Sequence, residues 1–170
     1  MEISVREALR RPGEMIPFHL TFDLEPMTVH EDPVSFPAQL VLDGFSMGLE
    51  EDEETVLLSG TLSYRWESIC ARCAEKAEGE STVEFQEEFG RVKDEKYPDR
   101  YLFMGETLQL DDLVSDQILM DLPIRFLCRE DCQGLCPVCG CNLNREQCDC
   151  DRSGGSSPFD VLKNLHLDDE

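Results

Sequence analysis

Basic residues are what this chain has least of. Its 170 residues carry 15 Lys and Arg against 37 Asp and Glu, a formal charge of −22, and residues 21–60 hold ten acids with no Lys or Arg. Proteins grip nucleic acid by displacing counterions from phosphates with cationic side chains, and a surface this negative repels phosphate backbones and anionic lipids alike. Direct contact with RNA is therefore disfavoured; only a local basic patch assembled by folding would permit it, because net charge does not fix local field. No run approaches the roughly 18 apolar residues of a membrane span, so no membrane contact is expected. Met1-Glu-Ile-Ser-Val-Arg6 lacks the apolar stretch of a secretory leader, which leads us to expect a cytoplasmic protein with reduced thiols. Phosphate-binding glycine loops and the H-E-x-x-H pattern are missing as well. The histidines, His19, His30 and His166, lie near no serine or cysteine in a nucleophile's context and read as solvated side chains. No enzyme is expected.

Cysteine, by contrast, is abundant and clustered. Seven of the nine fall between Cys128 and Cys150, in CREDCQGLCPVCGCNLNREQCDC, and the other two form Cys70-Ala-Arg-Cys73. In reduced surroundings such spacing reads as metal binding ahead of disulfides, and no thioredoxin-like pattern surrounds either C-x-x-C pair to favour redox catalysis. Short turns bring two sulfurs onto one ion at about 2.3 Å each. In Cys136-Pro-Val-Cys-Gly140 the proline fixes one backbone angle and the glycine permits a positive φ, so that amides can point at sulfur. Cys136, Cys139, Cys148 and Cys150 (C-x2-C-x8-C-x-C) make one closed set of four. Cys70, Cys73, Cys128 and Cys132 then make a second, which would clip the middle of the chain to its C-terminal part across the 54 residues between Cys73 and Cys128. The competing count is a single site with the outlying pairs as buried thiols. Two zinc ions are expected; the alternative is iron in a rubredoxin-like knuckle, which would make the chain an iron-carrying or redox-active metal protein. All-cysteine sites are typically closed and structural.

These motifs also carry a resemblance. Cys70-Ala-Arg-Cys73, the run Gly134-Leu-Cys-Pro-Val-Cys-Gly-Cys-Asn-Leu-Asn144, Cys148-Asp-Cys150 and Pro158-Phe-Asp-Val-Leu-Lys-Asn-Leu165 resemble the YceD family, named for large ribosomal RNA subunit accumulation. The likeness covers about residues 55 to 167. It implies a non-enzymatic ribosome-biogenesis factor supporting accumulation of 23S ribosomal RNA. Cys141 departs from the motif, and leaves open whether Cys139 or Cys141 closes the local site.

Around the cysteines the pattern predicts an α+β fold, mainly antiparallel sheet with few short helices, followed by a zinc-ribbon-like C-terminal region. Ser4–Gly13 reads as a short helix stopped by Pro-Gly. Ile16, Phe18, Leu20, Phe22 and Leu24 alternate with polar residues as a half-buried strand, with Pro17 marking an edge. A second strand lies within 36–49, with Gly44 marking a bulge. Val56–Arg65 and Ser81–Phe89 pair antiparallel, with the Cys70 knuckle in their connection. A short strand follows at 101–104. Leu110, Leu113, Val114, Ile118 and Leu122 form the apolar stripe of a helix ended by Pro123. Ser157 and Pro158 open a last helix whose Phe159, Leu162 and Leu165 must dock somewhere. The expected organisation is a β-rich domain over 1–127, a metal-binding region over 128–152, and a linker with a short helix over 153–170. The run Glu50, Glu51, Asp52, Glu53, Glu54 reads first as a solvated hairpin loop. It is also the candidate face for a basic ribosomal protein or assembly factor. The sequence leaves oligomeric state open.

Overall fold

The computed structural model describes residues 1–52, 54–93, 98 and 100–151. In chain order, strand β1 (Glu2–Ser4) leads into helix α1 (Arg6–Arg10), then β2 (Ile16–Phe22), β3 (Met27–Val29), β4 (Asp32–Val34) and β5 (Leu40–Gly48). Next come β6 (Thr55–Ile69), β7 (Lys76–Gly90), β8 (Tyr101–Leu102), β9 (Thr107–Gln109) and helix α2 (Asp111–Asp121). The main sheet has the order β2-β5-β6-β7-β8. Its neighbours are antiparallel except β7 with β8. Two small pairs, β1 with β9 and β3 with β4, complete the sheets. Among the described residues the chain is thus mainly antiparallel sheet with two short helices.

Alternation decides where the strands face. In β2 the apolar residues are half-buried and Pro17, His19 and Thr21 exposed. The strand lies at the sheet's edge, where a proline's missing N–H is tolerated. The bulge expected at Gly44 is absent: β5 and β6 pair one to one throughout, with Gly44 opposite Gly60. A Cβ on either would strike the facing strand's backbone carbonyl, so the glycines serve close approach and not a kink. β6 and β7 are longer than the periodicity predicts, pairing from Thr55↔Gly90 to Ile69↔Lys76. The charged ends, Glu67 and Lys76–Glu80, mask the pattern there.

One face of this hairpin carries Leu58, Leu62, Tyr64, Trp66, Ala77, Phe85 and Phe89, all buried. Helix α2 packs on that side with Leu113, Val114 and Ile118, and the flanking Leu110 and Leu122 are buried too. The stripe read from the sequence is core. Tyr64 Oη donates to Asp121 at 2.6 Å, and burial, then that carboxylate, pushes the phenol well above its ordinary value. The three-residue strands β1, β3, β4 and β9 were not legible. β1 meets β9 across more than a hundred residues. The β3–β4 turn puts His30 (φ 50°) and Glu31 (φ 75°) in the left-handed region, where Asn-Gly would have announced a hairpin. His30 is exposed as expected, whereas the exposed His19 has its Nδ1 2.5 Å from Asp43 Oδ1. The helix expected from Ser157, with its linker and His166, lies outside the described residues. Among the described residues no helix is long and apolar enough to cross a membrane.

Candidate metal centres

The β6–β7 hairpin ends in a knuckle. The Cys70 N–H donates to the Glu75 carbonyl at 2.7 Å, the Ala74 N–H donates to the Cys70 carbonyl at 2.9 Å, and Ala74 takes φ 57°. Two features bring the distant cysteines to this tip. First, Trp66 sits over Gly79, where a Cβ would come within 2.6 Å of the indole, and meets Phe126 edge-on with centroids 5.1 Å apart. The Phe126 carbonyl accepts the Ala71 N–H at 2.9 Å, two residues before Cys128. Second, Arg72 Nη1 donates to the carbonyls of Glu130 (3.1 Å) and Cys132 (2.9 Å). Its own carbonyl accepts the Leu135 N–H at 3.1 Å.

The result gathers Cys70, Cys73, Cys128 and Cys132, whose sulfurs all lie within 4.8 Å of one another. Cys70 and Cys132 stand 3.8 Å apart, Cys73 and Cys128 3.6 Å. Four sulfurs at tetrahedral corners about 2.3 Å from one ion would be about 3.8 Å apart. Cys70, Cys73 and Cys132 are 2%, 3% and 3% exposed, which leaves Cys128 as the open corner.

The second group repeats the turn. The Cys136 N–H donates to the Cys141 carbonyl and the Gly140 N–H to the Cys136 carbonyl, both at 2.8 Å, with Gly140 at φ 77°. Residue for residue these are the bonds of Cys70–Glu75, with glycine where the first knuckle strains an alanine. Cys136, Cys139, Cys148 and Cys150 bring their sulfurs within 4.8 Å of one another. Here Cys136 is buried, Cys148 and Cys150 are half-buried and Cys139 is exposed. Between the two thiols left open by the sequence, Cys139 is the one gathered into the four. Cys141 takes the place of Glu75: its carbonyl closes the turn, while its thiol lies outside the four, against Cys139 and Cys148.

Both knuckles favour thiolate at their first cysteine. Burial opposes ionisation of Cys70, but the amides of Cys128, Cys73 and Arg72 outweigh it and bring the thiol down to about 6. At Cys136 the amides of Cys139 and Val138 outweigh burial to the same value. Cys150, facing the Cys139 sulfur, is pushed up to about 12. Crowded thiolates repel, and a soft divalent cation among them removes that repulsion. The donor chemistry and spacing of both groups fit such an ion, and four thiolates suit zinc or iron alike.

Residues that shape the centres without supplying sulfur were not found from the sequence. Phe126 gave no signal, and Arg72 stood in the Cys70-Ala-Arg-Cys73 motif without an assigned role. Asn142 and Asn144, which brace the segment around Cys132, stood in the Asn-Leu-Asn run of the motif without an assigned role. Of the acidic run, Glu50, Glu51, Asp52 and Glu54 are exposed in the β5–β6 connection, and Glu53 lies outside the described residues. Asp52 belongs to the loop's own structure. Its carboxylate accepts the Thr55 hydroxyl at 2.6 Å and the Glu54 N–H at 3.0 Å, and these bonds hold it below the usual carboxylate range.

Fold and site together define a small antiparallel-sheet protein with two four-cysteine centres of metal-binding geometry. The family model described as large ribosomal RNA subunit accumulation protein YceD matches residues 58–166, from β6 through both cysteine groups, and the chain belongs to this family. It is 30% identical over 157 residues to an uncharacterized protein of Mycobacterium bovis, covering 86% of this chain and 72% of that one. An uncharacterized protein of Mycobacterium leprae is 29% identical over 141 residues, 79% of this chain and 63% of the other. The chloroplastic large ribosomal RNA subunit accumulation protein YCED homolog 1 of Arabidopsis thaliana is 31% identical over 71 residues, 41% of this chain and 22% of its own. No solved structure matches.

Proposed function

We propose that the chain is a non-enzymatic, cytoplasmic ribosome-biogenesis factor that supports accumulation of 23S ribosomal RNA and the large subunit. The observation that carries this reading is the family match across residues 58–166, which takes in every cysteine of both groups. Cys70, Cys73, Cys128 and Cys132 hold one zinc ion, and Cys136, Cys139, Cys148 and Cys150 a second. The C-terminal region is then a zinc-ribbon-like module clipped to the sheet. Bound there, zinc supplies structural cross-links, and the chain's own amides at Cys70 and Cys136 favour the thiolates that receive it. Iron in the same sulfurs is the alternative, favoured by the Cys-Pro-Val-Cys-Gly turn. Freshly purified protein that is colourless and contains zinc supports the first, and red, iron-containing protein the second.

The acidic surface gives the partner its chemistry. With −22 formal charges, or about −26 once two four-thiolate zinc sites form, the chain suits a basic ribosomal protein or assembly factor, and RNA is affected at second hand. Changing Glu50, Glu51, Glu53 and Glu54 to glutamine, with Asp52 kept to hold the loop, should slow association with that partner. The effect should fade as salt screens it. Copurification from cells followed by identification of bound proteins tests the reading. Tight, salt-sensitive binding of the purified chain alone to naked ribosomal RNA would overturn the indirect route.

A further inference from the structure

We propose that the two centres are built in series: the loop closed by the second group of cysteines supplies the outer support of the first, and Asn144 carries the coupling. The inference rests on the reading of both groups as metal centres. Asn144 lies between Cys141 and Cys148, on the loop whose ends the second group draws together. Its Nδ2 donates to Cys132 Sγ at 3.4 Å and to Asn142 Oδ1 at 2.8 Å, and its Oδ1 accepts the Gln133 N–H at 2.7 Å and Arg129 Nη2 at 2.8 Å. A carboxamide has two donor hydrogens and two acceptor positions, and all are used here. Three of the four go to the segment that carries Cys128 and Cys132. One side chain from the second loop thus orients a sulfur of the first group and fixes the turn beyond it.

The loop is tied down on the same side. The Leu143 N–H donates to the Gly134 carbonyl at 2.9 Å, Asn142 Oδ1 accepts the Asn144 N–H at 3.0 Å, and Arg145 reaches Glu75 of the first knuckle at 2.6 Å. Gly134, at φ 75°, sits so close to Arg72 that a Cβ would come 2.9 Å from its carbonyl oxygen. When the second centre closes, the loop is ordered in the conformation the first centre needs. When it is open, filling the first centre must also order the loop. A metal at one centre therefore raises the affinity of the other, and the effect is reciprocal. Contacts that orient metal ligands from outside typically change affinity about 10–100-fold.

The test uses the full chain and cobalt(II), whose thiolate charge-transfer bands report each filled centre. Cys139→Ser with Cys148→Ser gives the affinity of the first centre alone, and Cys70→Ser with Cys128→Ser that of the second alone. The overall two-ion constant of the parent should exceed the product of these two by about ten-fold or more. Asn144→Asp keeps every cysteine, removes both amide donors and sets a carboxylate beside Cys132. It should still take two ions, with the overall two-ion constant lowered about ten-fold from the parent's. A parent constant equal to the product, or an Asn144→Asp protein indistinguishable from the parent, overturns the coupling. A parent that takes up no cobalt overturns the metal reading itself, which is a separate result.

Discussion

The two cysteine groups share one turn and live in opposite surroundings. At Cys70–Glu75 and Cys136–Cys141 the same two backbone hydrogen bonds close the knuckle, with lengths agreeing to about 0.1 Å. Yet the first group draws sulfurs from either side of a 54-residue gap and buries three of them, while the second takes all four from fifteen consecutive residues and buries only Cys136. Local turn chemistry is the same in both; what differs is what the turn is attached to. The first knuckle caps the longest hairpin of the sheet, braced by Trp66 against Phe126, so an ion held there would fix tertiary structure. An ion held at the second would fix the fold of its own loop.

That contrast can be broken in graded steps. Chelation of both ions should have the largest effect, since structural zinc in small peptides contributes on the order of 10–16 kcal/mol. Hydrogen exchange should then show lost protection over residues 126–150, with the β5, β6 and β7 amides still protected. Loss of protection throughout would mean that the sheet too depends on metal. Phe126→Ala should follow, destabilising the fold by about 3–5 kcal/mol in denaturant titration, because it empties a fully buried site between Trp66 and the first knuckle. It should leave the second centre's metal in place. Cys141→Ser should do least: both ions stay bound, because the turn uses the backbone carbonyl of Cys141. Loss of an ion from that variant would exchange the roles of Cys139 and Cys141.

The features legible in the sequence were those governed by neighbouring residues. Period-two alternation marked Ile16–Phe22, the i, i+3, i+4 stripe marked α2, and the C-x-x-C spacings marked both knuckles, because each depends on a few covalent links. The pairing of Cys70 and Cys73 with Cys128 and Cys132 across 54 residues was legible for another reason, the count of four ligands per closed site. Other features governed by distant partners were not legible. Gly44 looked like a bulge because a lone glycine in a strand has two explanations, and only the facing Gly60 chooses between them. The β1–β9 pair has too few residues to show a period. Phe126 and Arg72 became site-building residues only through contacts with Trp66 and with the Glu130 and Cys132 carbonyls. The apolar Phe159, Leu162 and Leu165 lie outside the described residues.

The central claim is that Cys70, Cys73, Cys128 and Cys132 hold one ion that clasps the sheet to the C-terminal region. Elemental analysis of the parent beside Cys70→Ser tests it directly, with circular dichroism to confirm that the sheet persists. The expected result is two ions per chain in the parent and about one in the variant, the lost ion being the one that joins distant segments. Two ions retained in Cys70→Ser would contradict the clasp, and a parent free of bound metal would contradict both centres.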